Sequence, residues 1–466
     1  MMLAQKRLYG IETEYGITCA ATDGGPSPIE PEESANYLFA DLVSRTKSTN
    51  AFLGNGARLY LDVGAHPEYA SAECASLSEL ITNDRAGDLI FAKMAENANQ
   101  RLAADGISGR IHLFKNNHDV SGNSFGCHEN YLVRRRRDYR ARIDELVPFF
   151  VTRQILVGAG YLCVNSETGE AHYEISQRAS QMWDAVSAAS TRSRPMINTR
   201  DEPHGDVELY RRMHVIVGDS NISDATNALK IGMTEAVLNY LEAGKRLKRY
   251  QLVDPMQAIR QTSLDLSGKA LLETLENGTI TALELQEYVF TEIYSYYESA
   301  GLLAELDEFQ KYVFDLWRRS LTALSTDSHE NVATEIDWIA KWNLLQSYQD
   351  KLGVELADSR LRRLDLAWHD VTSSGLRTRL ENSGGLRKLV SNEAIETATT
   401  TPPQSTRAKL RGDFITAAQQ ARRDYLADWS NLRLFTADGA RSVVLKDPFS
   451  NEDLNVAALH AEIAKN

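Results

Sequence analysis

The chain has 466 residues, 43% of them hydrophobic and 25% charged, and carries a formal net charge of −13. That length and apolar content suffice to bury a sizeable core in one large domain with a smaller companion, or in two to three domains. An acidic whole excludes nucleic-acid or membrane binding through the general surface, and no apolar run approaches the length of a membrane span.

The first seven residues contain Lys6 and Arg7 but lead into no hydrophobic stretch, so a secreted protein is not expected. Four cysteines, Cys19, Cys74, Cys127 and Cys163, lie far apart without CxxC or Cys/His ligand spacing, which fits a reducing compartment and argues against a structural zinc site.

In chain order, the first predicted strand covers residues 10–16 and alternates polar and apolar residues, so Glu12 and Glu14 share a face. A Gly/Pro/Ser-rich loop (23–31) leads to a predicted helix over 32–47. A second strand over 56–62, with a tail through Glu68 and Tyr69, puts Arg58, Tyr60 and Asp62 on one face and Ala57, Leu59 and Leu61 on the other. Alternation of this kind also describes a half-buried strand facing water. Here, however, Glu12, Glu14, Asp62, Glu68 and Glu73 crowd together with only Arg58 to balance them, and their repulsion points to a bound cation. If the two strands are neighbours, they form a carboxylate floor of the kind a magnesium nucleotide requires, with an arginine fork for phosphate.

Helical periodicity follows over 77–104, then a buried strand at 111–115, a turn at 121–124, and strands at 161–164 and 173–176. The Arg134 to Arg137 run reads as a solvated turn after a strand. Five arginines within residues 192–212 admit two readings, a charged loop beside an edge strand or a phosphate clamp. Amphipathic helices are predicted over 224–241, 282–298, 303–324 and 334–352. A Thr/Pro cluster at 397–405 is the best linker candidate and sets a boundary between domains 1–400 and 401–466. The predicted fold class is α+β, a curved, mostly antiparallel sheet backed by helices plus a small C-terminal α/β unit.

Taken together, GIETEYG (10–16), NGARLYLDVGAHPEYASAEC (55–74), LFKNNHDVSGNSFGCHENYL (113–132), STRSRP (190–195), INTRDEPH (197–204), YRRMHVIVGDSN (210–221), TEIDW (334–338), STRAKLRG (405–412), and a late DW followed by KDPF resemble the Pup-ligase family over nearly the whole chain. The paralogous depupylases share many strings but carry a long loop between the first acidic strand and NGARLY. Here only about forty residues separate Tyr15 from Arg58, most of them needed for one loop and one helix. The wording GIETE, LDVGAHPEY and Cys127 before His128 also sides with the ligases.

The resemblance implies a glutamine synthetase-like catalytic domain and ATP- and Mg2+-dependent joining of the C-terminal glutamate of the small modifier Pup to a lysine of a target protein, marking it for proteasomal degradation. It implies a cytoplasmic enzyme, expected to be monomeric, whose partners are Pup and lysine-bearing targets. The alternative reaction class is a depupylase-like amide hydrolase. Residue by residue, it implies Glu12, Tyr60 and Glu68 at magnesium, Arg58 and Ser71 at ATP, Trp429 at the nucleotide from the C-terminal unit, and Asp62 as proton acceptor for the lysine. Glu14 and Glu73 would serve a second metal. Ser71 stands where the family usually has threonine, which keeps the hydroxyl. Trp429 by itself reads as a core aromatic, and His66 and His128 carry no assigned proton transfer.

Overall fold

The structure, a computed structural model, describes residues 7–62, 64–119, 122–165, 167–189, 194–276 and 278–465. Ser121 of the predicted turn and Arg192 of the arginine group lie outside them. The architecture is α+β. Its centre is an eight-stranded sheet in the spatial order Asp184–Ser187, Pro195–Asn198, Tyr210–Val215, Cys127–Arg134, Tyr9–Glu14, His66–Ala70, Arg58–Asp62, Asn50–Phe52. All neighbours are antiparallel except the Asp184–Ser187 and Pro195–Asn198 pair.

The two acidic strands are not direct neighbours. His66–Ala70 runs between them, because the predicted second strand and its tail fold into a hairpin that turns through Gly64 and Ala65, both with positive φ. One row of the ladder therefore reads Glu12, Ala70, Arg58 and the next Glu14, Glu68, Tyr60. The predicted strand at 111–115 is real (Gly109–Phe114) but pairs with Gly16–Ala21 in a separate ribbon.

The pleat sorts the sheet's two faces. Ile11, Thr13, Leu59, Tyr69, Tyr131, Met213 and Val215 are buried toward the helices, whereas Glu12, Glu14, Arg58, Tyr60, His128 and Asn130 are only half-buried. The Leu77–Ala104 helix is capped by Ser76, whose Oγ accepts from Glu79 N at 3.2 Å, and it lies against the sheet so closely that a Cβ on Gly87 would sit 2.4 Å from the Tyr69 ring. The Asp224–Glu242 helix packs beside it. Between helix and sheet, Arg153 and Glu129 form a fully buried ion pair, joined by Thr234 Oγ1 and the Tyr131 hydroxyl, which leaves the pair's charges compensated. The Arg134–Arg137 run is a surface loop in which Arg135 pairs with Asp201 and Arg136 with Asp138.

The remaining predicted helices form at Ala282–Ser299, Glu308–Ser325 and Asp337–Leu352. None of the described helices is long and apolar enough to cross a membrane.

The Thr/Pro cluster is packed and does not behave as an open tether. Pro402 and Pro403 are buried, and Ser405 Oγ bonds Glu79 Oε1 at 2.9 Å. Beyond it, the Arg407–Gln420 helix, a three-stranded antiparallel sheet (Tyr425–Ala427, Asn431–Thr436, Gly439–Val444) and the Leu454–Ile463 helix close over their own apolar core of Leu410, Phe414, Leu432, Leu434, Leu445 and Leu459. Contact with the main sheet is made through glycines. A Cβ on Gly412 would meet Gly54 O at 2.3 Å, and one on Gly56, whose φ is +79°, would meet Ala408 O at 3.0 Å.

Gly56→Ala combines a left-handed φ with that contact, so it is expected to cost about 1–3 kcal/mol in urea unfolding. The loosening is expected to fall on the Arg407–Gln420 helix, read as faster limited proteolysis of the C-terminal unit. Wild-type stability and digestion would refute the tight approach.

Candidate active site

The sheet's polar face opens onto a cleft. Its floor is Gly10, Glu12, Ala70 and Ser71, and one wall is Asn130 and Arg212. The other wall is His204, Arg407, Trp429 and Pro448, so the C-terminal unit completes the cleft.

Glu12 gathers donors from the next two strands on one side, Cys127–Arg134 and Tyr210–Val215. Asn130 Nδ2 donates to Oε1 at 3.1 Å, His128 Nδ1 lies 3.3 Å from Oε2, Arg212 Nη1 3.5 Å from Oε1 and His214 Nε2 3.8 Å from Oε2. Burial alone would push this carboxyl upward, but the His128 hydrogen bond and the charges of His214, His128 and Arg212 hold it well below the usual carboxylate range. Burial in turn pushes the His214 imidazole down to about 3 despite the attraction of Glu12.

One step along the strands, Glu14, Asp62 and Glu68 bring carboxylate oxygens within 4.8 Å of one another. Gly126 N donates to Glu14 Oε2 at 3.0 Å. Glu68 is buried, and burial followed by the charges of Glu12 and Glu14 drives its pKa well above the ordinary value, only partly offset by the Tyr60 phenol that donates to it. Burial and Glu68 raise the Tyr60 phenol as well, so Tyr60 is neutral. Arg58 lies 4.1 Å over the Tyr60 ring and donates Nε to Asn50 Oδ1 at 2.9 Å. Asp62 is the exposed member, at the end of its strand. Oxygen-only donors with uncompensated negative charge suit a hard divalent cation.

Several expected residues also make structural contacts. Ser71 Oγ accepts from Ile11 N at 3.0 Å and donates to Ala72 O at 3.2 Å, so the hydroxyl braces the floor where it lines the cleft. Glu73 is clamped by Arg407 Nε at 2.8 Å and by Arg411 and lies outside the Glu14–Asp62–Glu68 group, where it serves as a structural anchor. Burial opposes its ionisation, but Arg411 and Arg407 bring it down to about 2. Trp429 does line the cleft, edge-on to Phe52 with ring centroids 4.9 Å apart and with the Arg411 guanidinium 4.9 Å from its centroid. Of the arginine group, Arg212 alone among the described members lines the cleft. Arg194 donates to Gln181, Arg200 pairs with Glu202 and Arg211 pairs with Asp201.

Sequence reasoning missed Arg407, His204 and Asn130 as cleft residues. For Arg407 a signal existed: Arg407 and Arg411 stand four apart on one helix, hence on one face.

The Glu73 clamp gives a pH signature. Its folded pKa is depressed, so its contribution is present above the unfolded carboxylate value and is lost as pH falls from about 4.5 toward 2. Glu73→Gln is expected to destabilise by roughly 3 kcal/mol at pH 7, since it leaves two buried arginines unmatched. It is also expected to flatten the acid limb of stability against pH. An unchanged acid limb would show that the clamp contributes nothing.

The chain was compared with known proteins on this basis. The family profile described as Pup-ligase protein matches residues 7–433. The chain is 47% identical over 458 residues to the Pup–protein ligase of Sanguibacter keddieii, covering 98% of this chain and 99% of that one. It is 46% identical over 460 residues to the Pup–protein ligase of Mycolicibacterium smegmatis, covering 98% and 100%. Among solved structures, it superposes on the ligase PafA in complex with Pup with a TM-score of 0.92 at 39% identity, covering 98% of this chain and 91% of that one. On PafA in complex with ADP the TM-score is 0.84 at 40% identity, covering 93% and 94%.

Proposed function

The chain belongs to the Pup-ligase family, and from that premise we propose how the polar face of its sheet carries out ATP-dependent Pup ligation. A carboxylate does not react with an amine at neutral pH, because its leaving group would be oxide. The first half-reaction is therefore attack of a side-chain carboxylate oxygen of Pup's C-terminal glutamate on the γ-phosphorus of ATP, releasing ADP and forming an acyl phosphate. In the second, the lysine ε-nitrogen of a target attacks the acyl carbon, inorganic phosphate leaves, and the amine gives up its proton. The product is an isopeptide bond that marks the target for proteasomal degradation in the cytoplasm, by a monomeric enzyme.

The observation that carries this reading is the junction of two fields on one sheet face: an uncompensated trio of carboxylates beside Glu12, and next to it a cleft walled by Arg212, Arg407 and Trp429. Phosphoryl transfer needs positioning and charge compensation above all. Arg212 and Arg407 supply cations from opposite walls of the cleft, Arg58 adds a third from the strand that carries Tyr60 and Asp62, and Trp429 offers an aromatic surface to the adenine. Mg2+ would be held by the oxygen donors Glu14 and Glu68, with Glu12 on the strand beside them and the neutral Tyr60 reached through water. When bound, it supplies neutralisation of the phosphate oxygens. Ser71 holds the floor flat through its two backbone bonds, so its part in nucleotide binding is to keep the Glu12 strand in register.

Asp62 has the one exposed carboxylate of the trio. Lysine has an ordinary pKa near 10.4, so it arrives as an ammonium ion. Asp62 binds that ion electrostatically and accepts the proton as the carbon–nitrogen bond forms. Asp62→Asn keeps the shape and removes the base. With glutamate-ended Pup, ATP, Mg2+ and a lysine-bearing target, the variant is expected to bind nucleotide and form ADP in the first half-reaction, while conjugate formation drops by about 10²–10⁴-fold. Undiminished conjugation would take Asp62 out of the mechanism. For the wild-type protein, hydrolysis of preformed conjugate outrunning ATP-dependent synthesis would overturn the ligase reading itself.

A further inference from the structure

We propose that Cys163, His172 and Glu174 form a binding site for a borderline divalent transition ion, Zn2+ in the first instance, on the outward face of the Tyr161–Val164 and Ala171–Glu174 hairpin, with a fourth position open to water. The residues are nine and two positions apart in sequence, a spacing that signals nothing by itself. Hairpin register brings them together. Cys163 is the cross-strand partner of His172, and Tyr161 that of Glu174, so Cys163, His172 and Glu174 project from the same side. The opposite side carries Leu162 and Tyr173, both buried in the main core.

One donor atom from each of the three lies within 4.8 Å of the others, and His172 Nε2 is 2.9 Å from Glu174 Oε1. A tetrahedral zinc ion at about 2.0–2.3 Å from sulfur, nitrogen and oxygen ligands holds those ligands roughly 3.3–3.6 Å apart, so a rotamer adjustment of about 1 Å closes the set. Thiolate, imidazole and carboxylate together favour zinc over magnesium, and three protein ligands leave the fourth position free.

The scaffold is already fixed. Tyr173 donates its hydroxyl to Trp338 O at 2.9 Å and stacks on Trp342 with centroids 4.6 Å apart, and Ile175 N, just beyond the hairpin, bonds Ser263 O at 2.8 Å. Little ordering is left for the ion to impose. Cys163 is also the one half-buried cysteine, the other three being buried, so it alone presents sulfur to solvent. None of the three residues lines the nucleotide cleft, which makes this a site apart from the acidic face.

The test uses the full-length protein, stripped of metal and then saturated with Mg2+ so that the acidic face is filled. Titration with Co2+ is expected to raise a thiolate-to-cobalt charge-transfer band that saturates at one equivalent and is displaced by Zn2+. Cys163→Ser is expected to abolish the band, and His172→Ala to weaken binding by roughly 100-fold, with ATP-dependent conjugation retained in both variants. In the unmodified protein, where no variant can misfold, one equivalent of Zn2+ is expected to shield Cys163 from iodoacetamide, read by peptide mass spectrometry. The site is refuted if no thiolate band forms, if His172→Ala binds as tightly as the wild type, or if alkylation of Cys163 is indifferent to Zn2+.

Discussion

Crowding of like charge on one face of a sheet is the constraint around which this protein is organised. Glu12, Glu14 and Glu68 come from adjacent strands with their carboxyls on the same side, and Asp62 joins them from the next strand. Each is compensated differently. Glu12 is ringed by Asn130, His128, Arg212 and His214, and Glu14 takes a backbone N–H. Glu68 has only a phenol, and burial beside Glu12 and Glu14 raises its pKa. A buried carboxyl repelled by two neighbours asks for positive charge, and a reaction that brings in phosphates with their counterion supplies it.

The same electrostatics explain the position of the C-terminal unit. Glu73 follows the strand that carries Glu68, and its charge is absorbed by Arg407 and Arg411 from a helix more than three hundred residues later in the chain. Arg411 also donates to Gly56 O and Trp429 O, so one guanidinium touches the turn before the Arg58 strand, the loop after the Glu68 strand and the tryptophan at the cleft. Glycines at 54, 56 and 412 let the backbones come close enough for this. The cleft is a by-product of that docking, since three of the four residues named for one wall, Arg407, Trp429 and Pro448, arrive with the C-terminal unit.

Much of this was legible in the sequence because period-2 alternation survives translation into structure. Glu12 with Glu14, and Arg58 with Tyr60 and Asp62, were assigned to common faces correctly, and the long helices follow their apolar spacing. The order of strands was not legible. Nothing local distinguishes a strand with a tail from a hairpin, and the turn at Gly64 and Ala65 inserts His66–Ala70 between the acidic strands. Duties set by distant partners were equally hidden. Glu73 resembles its neighbours as a free carboxylate until Arg407 and Arg411 are placed over it, and Ser71 resembles a ligand-binding hydroxyl until its two backbone bonds are seen. The 397–405 segment has linker composition, and its Pro402 and Pro403 pack into the joint.

The Arg411 bridge has a consequence for biosynthesis. The acidic strands leave the ribosome well before the residues that neutralise Glu73 and complete the cleft. Until the Arg407–Gln420 helix and Trp429 have been made, Glu73 has neither of its two arginines and the cleft lacks most of one wall.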